Sequence, residues 1–279
     1  MKLIKPSFSI WEQEPGLQGI YKQIEKSAKV CYKSEGNITE DSAQPFIDNV
    51  LLKRHHYSPL EHGTIYLKIP TGLMAEVNQT YHKYLSNPYS KAICRYVPLD
   101  GYIYVTTNYR ALVENSWLDD LQYICEPTEF HEKRITVKFI LSRSIAQEYT
   151  RHRVFSFAME SQRYCNYSTD KFSNEVTFIN PCWIEDNQDT YDRWCFYESL
   201  NKAEEVYFRL LKHGWKPQQA REVLSNACKT ELIMTGFVSQ WKDFFMLRSN
   251  KYGKGGAHPS ADELATPLYE EFVARGYIK

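Results

Sequence analysis

The sequence has no surplus of charge of either sign: its 279 residues include 34 lysines and arginines against 34 aspartates and glutamates. A protein that binds long polyanions normally carries a clear basic excess, so this balance argues against a nucleic-acid polymer as partner. No apolar run approaches the roughly 20 residues needed to cross a bilayer, and the start of the chain lacks the apolar stretch of a signal peptide. We therefore expect a soluble, cytoplasmic protein that does not contact a membrane.

Closely spaced cysteine pairs are absent as well. The seven cysteines are odd in number, and no two of them form a C-x-x-C pair. A disulfide framework or a zinc ribbon is therefore disfavoured, and reduced thiols are the better interpretation. The adjacent residues His55 and His56 are more typical of a helix end than of a zinc site, so we expect no bound metal.

The sequence contains no internal repeat, low-complexity tract or Gly/Ser linker, so nothing marks a domain boundary. The chain is long enough to bury a full core, and hydrophobic residues make up 43% of it, as in a folded globular protein. We expect a single domain over residues 1–279. The aromatic share of 15% suits stacking on planar ligands or contacts between subunits.

Hydrophobic periodicity predicts a protein of the α+β class. Extended or alternating patterns typical of strands occur at residues 2–11, 64–69, 134–140 and 228–235. Apolar residues recur at helical spacing at residues 20–31, 43–54, 142–150, 200–211, 217–221 and 239–249. The segment between Ser58 and Gly63 predicts a turn.

Local signals predict where several helices begin and end. Gly214 follows an apolar helical stripe and is a natural stop, and Pro217 can open the next helix. Ser260 and Glu263 have the spacing of a capping box, which predicts that the last helix opens at Ser260. Pro267 then predicts a kink within that helix.

Residues from about 73 to 133 differ in character from the rest of the chain. Within them, Asp100 and Gly101 lie between β-prone runs at 96–99 and 102–105. An Asp-Gly pair in this position predicts a β-hairpin.

The segment Arg151–Tyr164 is the densest in chemically active side chains, with three arginines, a histidine, two serines and a carboxylate. Upstream, Arg143, Gln147 and Arg151 recur on one helix face, and Glu148 has the spacing to pair with Arg151. Arginine grips phosphate with a planar fork, so the segment suits a phosphorylated ligand. Composition alone favours the simpler interpretation of a solvated face with modest ion pairs.

Longer-range order in the sequence decides between these readings. Arg151-His152-Arg153, seven further residues and then Ser161 resembles the R-H-R-x7-S signature of the flavin-dependent thymidylate synthases. Arg248 follows Arg221 by 27 residues, the separation expected for that family. The resemblance covers most of the chain, chiefly excluding 73–133, and its other blocks are Ser58-Pro59-x-Glu61-His62, Glu148, Arg163-Tyr164, Ala220-Arg221 and Trp241-x-x-Phe244-Phe245-x-Leu247-Arg248.

The resemblance implies an enzyme that methylates dUMP to dTMP. Methylenetetrahydrofolate would donate the one-carbon unit, and FAD reduced by NADPH would donate the hydride. Helices would pack on an antiparallel sheet, and the region at about 73–133 would be an insertion that contains the β-hairpin. The family also implies a homotetramer whose active sites are each assembled from several subunits.

The resemblance assigns the nucleotide contacts residue by residue. Arg163 and Ser161 would hold the phosphate of dUMP, and Arg248, the catalytic residue, would stabilise negative charge on the uracil ring. The family activates dUMP electrostatically, and Ser161 lacks the G-x-S-x-G context of a hydrolase nucleophile. The residues implied for the dUMP site are Glu148, Tyr149, Thr150, Arg151, Met159, Glu160, Ser161, Gln162, Arg163, Arg221 and Arg248.

The flavin contacts are implied in the same way. His62 and Thr64 match positions at the flavin edge, while Asp243 replaces the Asn or His that usually precedes the Phe-Phe pair. Two more departures are Ala158-Met159 in place of Asn-Glu, and Phe237-Val238-Ser239 in place of Asn-x-Arg. The residues implied for FAD are His62, Thr64, Arg151, His152, Arg153 and Asp243.

Alternatives remain open at the level of the sequence. Cys165 lies close to the motif, but the family has no catalytic cysteine there, so we expect a structural thiol. A flavin-dependent hydroxymethylase acting on a pyrimidine nucleotide would use the same arginines. A non-catalytic nucleotide- or RNA-binding module would use them to contact phosphates.

Overall fold

The computed structural model describes residues 1–34, 36, 38–71, 74–95, 99–186 and 190–278. The strands of this part are β1 (Lys2–Ile4), β2 (Ser7–Trp11), β3 (Thr64–Pro70), β4 (Lys91–Arg95), β5 (Tyr102–Asn108), β6 (Arg134–Ser142), β7 (Ser156–Met159), β8 (Thr177–Ile179) and β9 (Lys229–Phe237). The helices are α1 (Gly16–Tyr32), α2 (Ala43–Phe46), α3 (Met74–Leu85), α4 (Tyr109–Glu114), α5 (Arg143–Tyr149), α6 (Cys182–Asp186), α7 (Thr190–Lys212), α8 (Pro217–Ala220), α9 (Val238–Arg248) and α10 (Pro259–Ala274). The predicted α+β class is confirmed.

Shorter helical turns complete these elements. A π-helical segment at Ile47–Leu52 continues α2, so the helix predicted at 43–54 is present but changes its hydrogen-bond pattern. Three-residue turns of 3₁₀ type form at Asp170–Phe172 and Arg221–Val223, and longer ones at Ser58–His62 and Leu118–Tyr123.

A four-stranded antiparallel sheet, in the order β2–β6–β9–β7, forms the centre of the fold. β6 and β9 pair along their full lengths, from Arg134 opposite Phe237 to Ser142 opposite Lys229. Because successive side chains of a strand point to opposite faces, Val137 packs into the main hydrophobic core while Thr136 belongs to the other face. The strands predicted at 134–140 and 228–235 are confirmed.

Helices α5, α9 and α10 cover the apolar face of this sheet. Trp241, Phe244, Phe245 and Phe272 are at most 1% exposed there. The indole nitrogen of Trp241 donates to the carbonyl of Ile135 at 3.1 Å, so even its polar atom is satisfied. Each of these rings contributes about 1.5–3 kcal/mol by leaving water, which fixes α9 and α10 on the sheet.

Helix α1 lies on the opposite face. Its Val30 packs against Ala158 of β7 and Ile233 of β9. Gly63 allows the chain to pass close to α1, since a Cβ at this position would lie only 2.7 Å from Cδ1 of Ile24. This close approach brings His62 over the central sheet.

A second antiparallel sheet has the order β3–β5–β4 and packs against α1 in a core of its own. β4 and β5 pair with Arg95 opposite Tyr102. The first strand of this pair lies at Lys91–Arg95, before the run that the sequence analysis assigned to it, and residues 96–98 of the predicted hairpin lie outside the described residues.

Two helix boundaries test the local signals. The chain turns at Gly214, with φ of +90°, directly after α7, as predicted. The capping box predicted at Ser260 is wrong: α10 begins at Pro259, and the cap is His258, whose Nδ1 accepts from the amide of Ser260 at 3.3 Å. Proline is preorganised for the first helical position, so the start moves upstream, and the helix then continues through Pro267.

All seven cysteines are free thiols in the structure. Cys165 is 2% exposed and belongs to a third core with Tyr167, Tyr207 and Cys228.

None of the described helices combines the length and the apolar composition needed to span a bilayer.

Candidate active site

The segment Arg151–Tyr164 is built around β7. The loop at 150–155 enters the strand from α5, and the loop at 160–164 leaves it. Because Ser156 lies opposite Thr235 and Met159 opposite Leu232, the two loops lie at opposite ends of β7. Four residues of strand span about 13 Å, so the two halves of the motif are separated by that length within one chain.

Arg248, the last residue of α9, lies at the first of these loops. Its Nη1 donates to the carboxylate of Glu148 at 2.5 Å, and its Nη2 donates to the carbonyl oxygen of Glu148 at 2.9 Å. Its Nε donates to Nε2 of His152 at 2.9 Å. The predicted pair between Glu148 and Arg151 is wrong, because Arg248 arrives from a distant part of the chain and takes the carboxylate.

His152 is held as a neutral imidazole. Its ring packs 5.1 Å from the ring of Phe244 and 6.5 Å from that of Phe155, measured between centroids. Burial first, and the charge of Arg248 second, lower the pKa of His152 to about 4. Since Nε2 accepts from Arg248, the proton of the neutral ring is on Nδ1.

The residues next to His152 and Glu148 in the sequence differ in their exposure to solvent. Arg151 and Arg153 are exposed on the loop. Thr150 donates from its hydroxyl to the carbonyl of Gln147. Tyr149 is fully buried, and its hydroxyl donates to the carbonyl of Ala261 at 2.8 Å. The side chain of Tyr149 therefore belongs to the core.

At the other end of β7, Glu160 belongs to a buried ionic cluster. The ammonium of Lys229 lies 2.6 Å from the carboxylate of Glu160 and 2.8 Å from that of Glu231. Lys33 and Lys138 also pair with Glu231. The carboxylate of Glu160 is thus neutralised within the chain, at 1% exposure.

The charges in this cluster stabilise one another. Burial alone would lower the pKa of Lys229, but Glu160 and Glu231 raise it overall. Burial opposes ionisation of Glu231, yet Lys229 and Lys33 lower its pKa to about 2. The cluster therefore holds Lys229 and Glu231 in their charged forms, and its ion pairs connect the end of α1 to β6, β9 and the end of β7.

The loop after Glu160 is anchored through its backbone. The amide of Ser161 donates to the carbonyl of Cys31 at 3.0 Å, and the amide of Arg163 donates to Oγ of Ser161 at 3.2 Å. Gln162 is buried and donates to Sγ of Cys228. The side chain of Arg163 is left exposed, with its guanidinium 5.3 Å from the ring centre of Tyr164.

Two further predicted residues lie apart from these clusters. Arg221 is about one-third exposed, and its Nε lies 3.5 Å from the carboxylate of Glu222, a loose pair on the surface. Asp243 is exposed on α9, on a different face from the buried Trp241 and Phe244. Met159 is half-buried against the main core.

His62 and Thr64 lie together over the central sheet. A hydrogen bond of 2.8 Å joins Nδ1 of His62 to the hydroxyl of Thr235, which is joined in turn to that of Thr136 at 2.8 Å. Nε2 of His62 is buried and has no hydrogen-bond partner among the described residues. Burial, reinforced by Arg134, lowers the pKa of His62 to about 3, so the ring is neutral.

Arg134 is the residue of this region that the sequence analysis missed. It donates to the hydroxyls of Thr64 at 3.3 Å and Ser156 at 3.0 Å, and to the carbonyl of Glu61. Burial lowers its pKa to about 10, so it remains charged at neutral pH. The sequence did contain a signal for this residue, because Arg134 is the first residue of β6, a strand that is otherwise largely apolar.

A cavity of about 160 Å³ opens beside this region. Gln13 holds its rim, because its side-chain amide exchanges two hydrogen bonds with the backbone of Thr64. The wall is formed by residues 11–16, Ile20, Thr64, Tyr66, residues 124–127, residues 133–136 and Tyr277. A polar group entering it would meet Thr64 and the positive charge of Arg134.

Comparison with known proteins places the chain among relatives. The flavin-dependent thymidylate synthase of Pyrococcus furiosus is 31% identical over 138 residues, which cover 50% of this chain and 53% of that protein. The flavin-dependent thymidylate synthase of Mycobacterium tuberculosis is 32% identical over 127 residues, which cover 40% and 48%. The chain spans about half the length of the curated relatives that it matches.

A solved structure and a family model were also matched. The structure of the UMP/dUMP methylase PolB from Streptomyces cacaoi with 5-Br dUMP has 17% identity and a TM-score of 0.43, with 100% of this chain and 99% of that chain covered. The family model described as thymidylate synthase complementing protein matches residues 115–275, more than half of the sequence. The chain therefore belongs to the thymidylate synthase complementing protein family.

Proposed function

We propose that the protein is a flavin-dependent thymidylate synthase, the activity for which its curated relatives are named, and that it methylates dUMP to dTMP. The observation that carries this proposal is the position of Arg248. This residue lies 96 residues from His152 in the sequence and donates a hydrogen bond to its imidazole. A guanidinium fixed in this way stabilises negative charge on a uracil ring as it becomes nucleophilic.

The phosphate of dUMP is assigned to Arg163 and Ser161, and Arg221 is assigned as a further contact to the nucleotide. The two arginine side chains are accessible, and a guanidinium fork suits a phosphate dianion. Ser161 and Gln162 keep the Arg163 loop in place, while Glu160 anchors it through Lys229. The remaining dUMP assignments are Glu148, which acts on the nucleotide by holding Arg248, Tyr149 through its backbone, Thr150, Arg151 and Met159.

We assign the protein a homotetrameric assembly in which several subunits build each site. The observation that supports this is the separation of Arg248 from Arg163 by the length of β7 within one chain. One nucleotide then meets the Arg248 loop of one subunit and the Arg163 loop of another. Such an arrangement needs a symmetric interface between copies.

FAD is the proposed cofactor, and the residues present fit it. Nε2 of His62 is a buried polar atom without a partner in the described chain, and Thr64 and Arg134 supply donors beside it. The flavin ring system offers nitrogen and oxygen atoms that match such groups. His62 and Thr64 would hold the ring edge, with contributions from Arg151, His152, Arg153 and Asp243.

Bound FAD, reduced by NADPH, would supply the hydride, and methylenetetrahydrofolate would supply the one-carbon unit. The chain's own part is to orient dUMP, exclude water and stabilise charge. We further propose a single catalytic domain over 1–279, cytoplasmic location, and an insertion at about 73–133.

An anaerobic assay with FAD, NADPH, methylenetetrahydrofolate and dUMP, analysed by mass spectrometry, tests the proposal. We expect dTMP. A product heavier than dTMP by one oxygen atom would identify a hydroxymethylase instead. Purified protein without flavin absorbance after incubation with FAD would contradict both enzymes and favour a nucleotide- or RNA-binding module.

A further inference from the structure

His152 contacts the proposed catalytic arginine directly. Its Nε2 accepts the hydrogen bond from Nε of Arg248 at 2.9 Å. The other two nitrogens of Arg248 are held by Glu148, one through the carboxylate and one through the backbone carbonyl. Three bonds from three directions fix both the plane and the rotation of the guanidinium.

The acceptor that holds Nε has to be uncharged. A second carboxylate there would neutralise Arg248 further and weaken its attraction for negative charge on a ligand. A protonated imidazole has no lone pair to offer and would repel the guanidinium. A neutral imidazole satisfies the bond and leaves the charge of Arg248 intact.

Packing keeps the imidazole in this state and orientation. The ring of Phe244 lies 5.1 Å and the ring of Phe155 lies 6.5 Å from the imidazole, measured between centroids, so aromatic side chains pack against His152 and leave it partly buried. The charged groups that face His152 are Arg248 from α9 and Glu148 from α5, while Arg151 and Arg153 on its own loop are exposed. Burial and Arg248 both oppose protonation.

We propose that His152 is a positioning residue for Arg248: its Nε2 lone pair directs the guanidinium towards the nucleobase. This rests on the proposed function, and it gives His152 a role on the nucleotide side of the site in addition to any contact with FAD. The orientation of Arg248 then depends on one uncharged hydrogen-bond acceptor.

Two substitutions separate this role from bulk packing. In His152→Gln the amide oxygen reaches the position of Nε2 and retains the acceptor, whereas in His152→Phe a ring of similar volume fills the space without one. With the FAD-loaded enzyme at saturating dUMP, we expect turnover to fall at least tenfold in His152→Phe and to stay within about threefold of wild type in His152→Gln. Thermal unfolding of each variant is measured alongside.

Unchanged turnover in His152→Phe would overturn the proposal. So would a His152→Gln enzyme that is folded and as slow as His152→Phe, because the acceptor would then be irrelevant. The affinity for dUMP, from equilibrium dialysis without the folate, shows whether the loss lies in binding or in the chemical step.

A spectroscopic test needs no turnover. In protein labelled with ¹⁵N-histidine, we expect the His152 ring to be neutral at pH 7 with its proton on Nδ1, and Arg248→Met to raise its pKa. A proton on Nε2, or no response to Arg248→Met, would overturn the contact. If wild-type protein makes no dTMP, the proposed function fails, and this spectrum still decides whether His152 holds Arg248.

Discussion

The carboxylate of Glu148 lies 2.5 Å from Nη1 of Arg248, and the two side chains are 31% and 16% exposed. The pair therefore stands at the edge of the solvent, where an incoming ligand can reach it. Glu148 orders the arginine but also cancels part of its charge. An anionic nucleotide at this site would gain from the ordered arginine and would be repelled by the carboxylate.

Replacing Glu148 with glutamine separates them. Glu148→Gln retains an oxygen that accepts from Arg248 and removes the negative charge, so we expect dUMP to bind about two- to fivefold more tightly, as suits an exposed charge worth up to about 1 kcal/mol. The gain should shrink at high salt because solvent ions screen the interaction. Equilibrium dialysis at two ionic strengths measures both quantities.

Glu148→Ala is the companion variant. It removes the charge and the side-chain anchor together, so we expect turnover at saturating dUMP to fall although the repulsion is gone. Weaker dUMP binding by a stably folded Glu148→Gln protein would mean that the carboxylate itself is a ligand of the nucleotide.

The cluster around Lys229 predicts a large effect on stability. Lys229→Met leaves Glu160, at 1% exposure, without its closest cation, and we expect a loss of about 3–5 kcal/mol in the free energy of unfolding. Lys251→Met is the matched control, because Lys251 forms an ion pair with Glu270 on the surface, and we expect this substitution to leave the stability almost unchanged. Urea denaturation of both variants gives the comparison.

A second substitution tests the cause of that loss. Adding Glu160→Gln to Lys229→Met removes the stranded charge, and we expect part of the stability to return. If the double variant were as unstable as Lys229→Met alone, the loss would come from packing of the lysine stem and the electrostatic account would be wrong.

Much of the fold could be predicted because its signals are local. The alternation at 134–140 reports which residues of β6 face the core, and Ser142 caps α5 by accepting from the amide of Ile145. The resemblance assigned Glu148 and Arg248 to the nucleotide and His152 to the flavin. In the structure Arg248 is hydrogen-bonded to both of the other residues, and the partner expected for Glu148 was wrong.

The parts that escaped prediction depend on strand register. Arg134 reaches Ser156 because both lie at the same end of the central sheet, and Lys229 meets Glu160 because β7 and β9 are neighbours. Neither relation leaves a periodic pattern in the sequence. The start of α10 was predicted one residue too late, because Pro259 takes the first helical position and the capping box at Ser260 does not set the helix start.

Arg163 provides a direct test of the nucleotide site. Its guanidinium is exposed, so Arg163→Ala removes a phosphate contact without disturbing the core. A charge-assisted hydrogen bond contributes about 1.5–3 kcal/mol, and we expect dUMP affinity to fall roughly 10- to 100-fold while FAD binding stays unchanged. Arg209→Ala, at an exposed ion pair on α7, is the control for loss of one surface charge. An equal loss of dUMP and FAD affinity in Arg163→Ala would contradict the assignment.

The two buried histidines predict that acid weakens the fold. The pKa of His62 is lowered to about 3 and that of His152 to about 4, against about 6.5 in an unfolded chain. Between pH 6.5 and 4 the unfolded chain binds protons that the native chain excludes, so the free energy of unfolding falls as the pH falls. The slope is up to about 1.4 kcal/mol per pH unit for the fully buried His62 and smaller for His152, which is partly open to solvent.

His62→Asn isolates the first of these contributions. Asparagine can preserve the hydrogen bond to Thr235 and does not titrate, so we expect a shallower loss of stability between pH 6.5 and 4.5, whatever its stability at pH 7. Urea unfolding at half-unit pH steps measures the slope, and His213→Asn on an exposed turn is the matched substitution. A slope identical to wild type in His62→Asn would mean that the native protein protonates His62 as readily as the unfolded chain does. The neutral ring over the central sheet, and the polar site built around it, would then have to be abandoned.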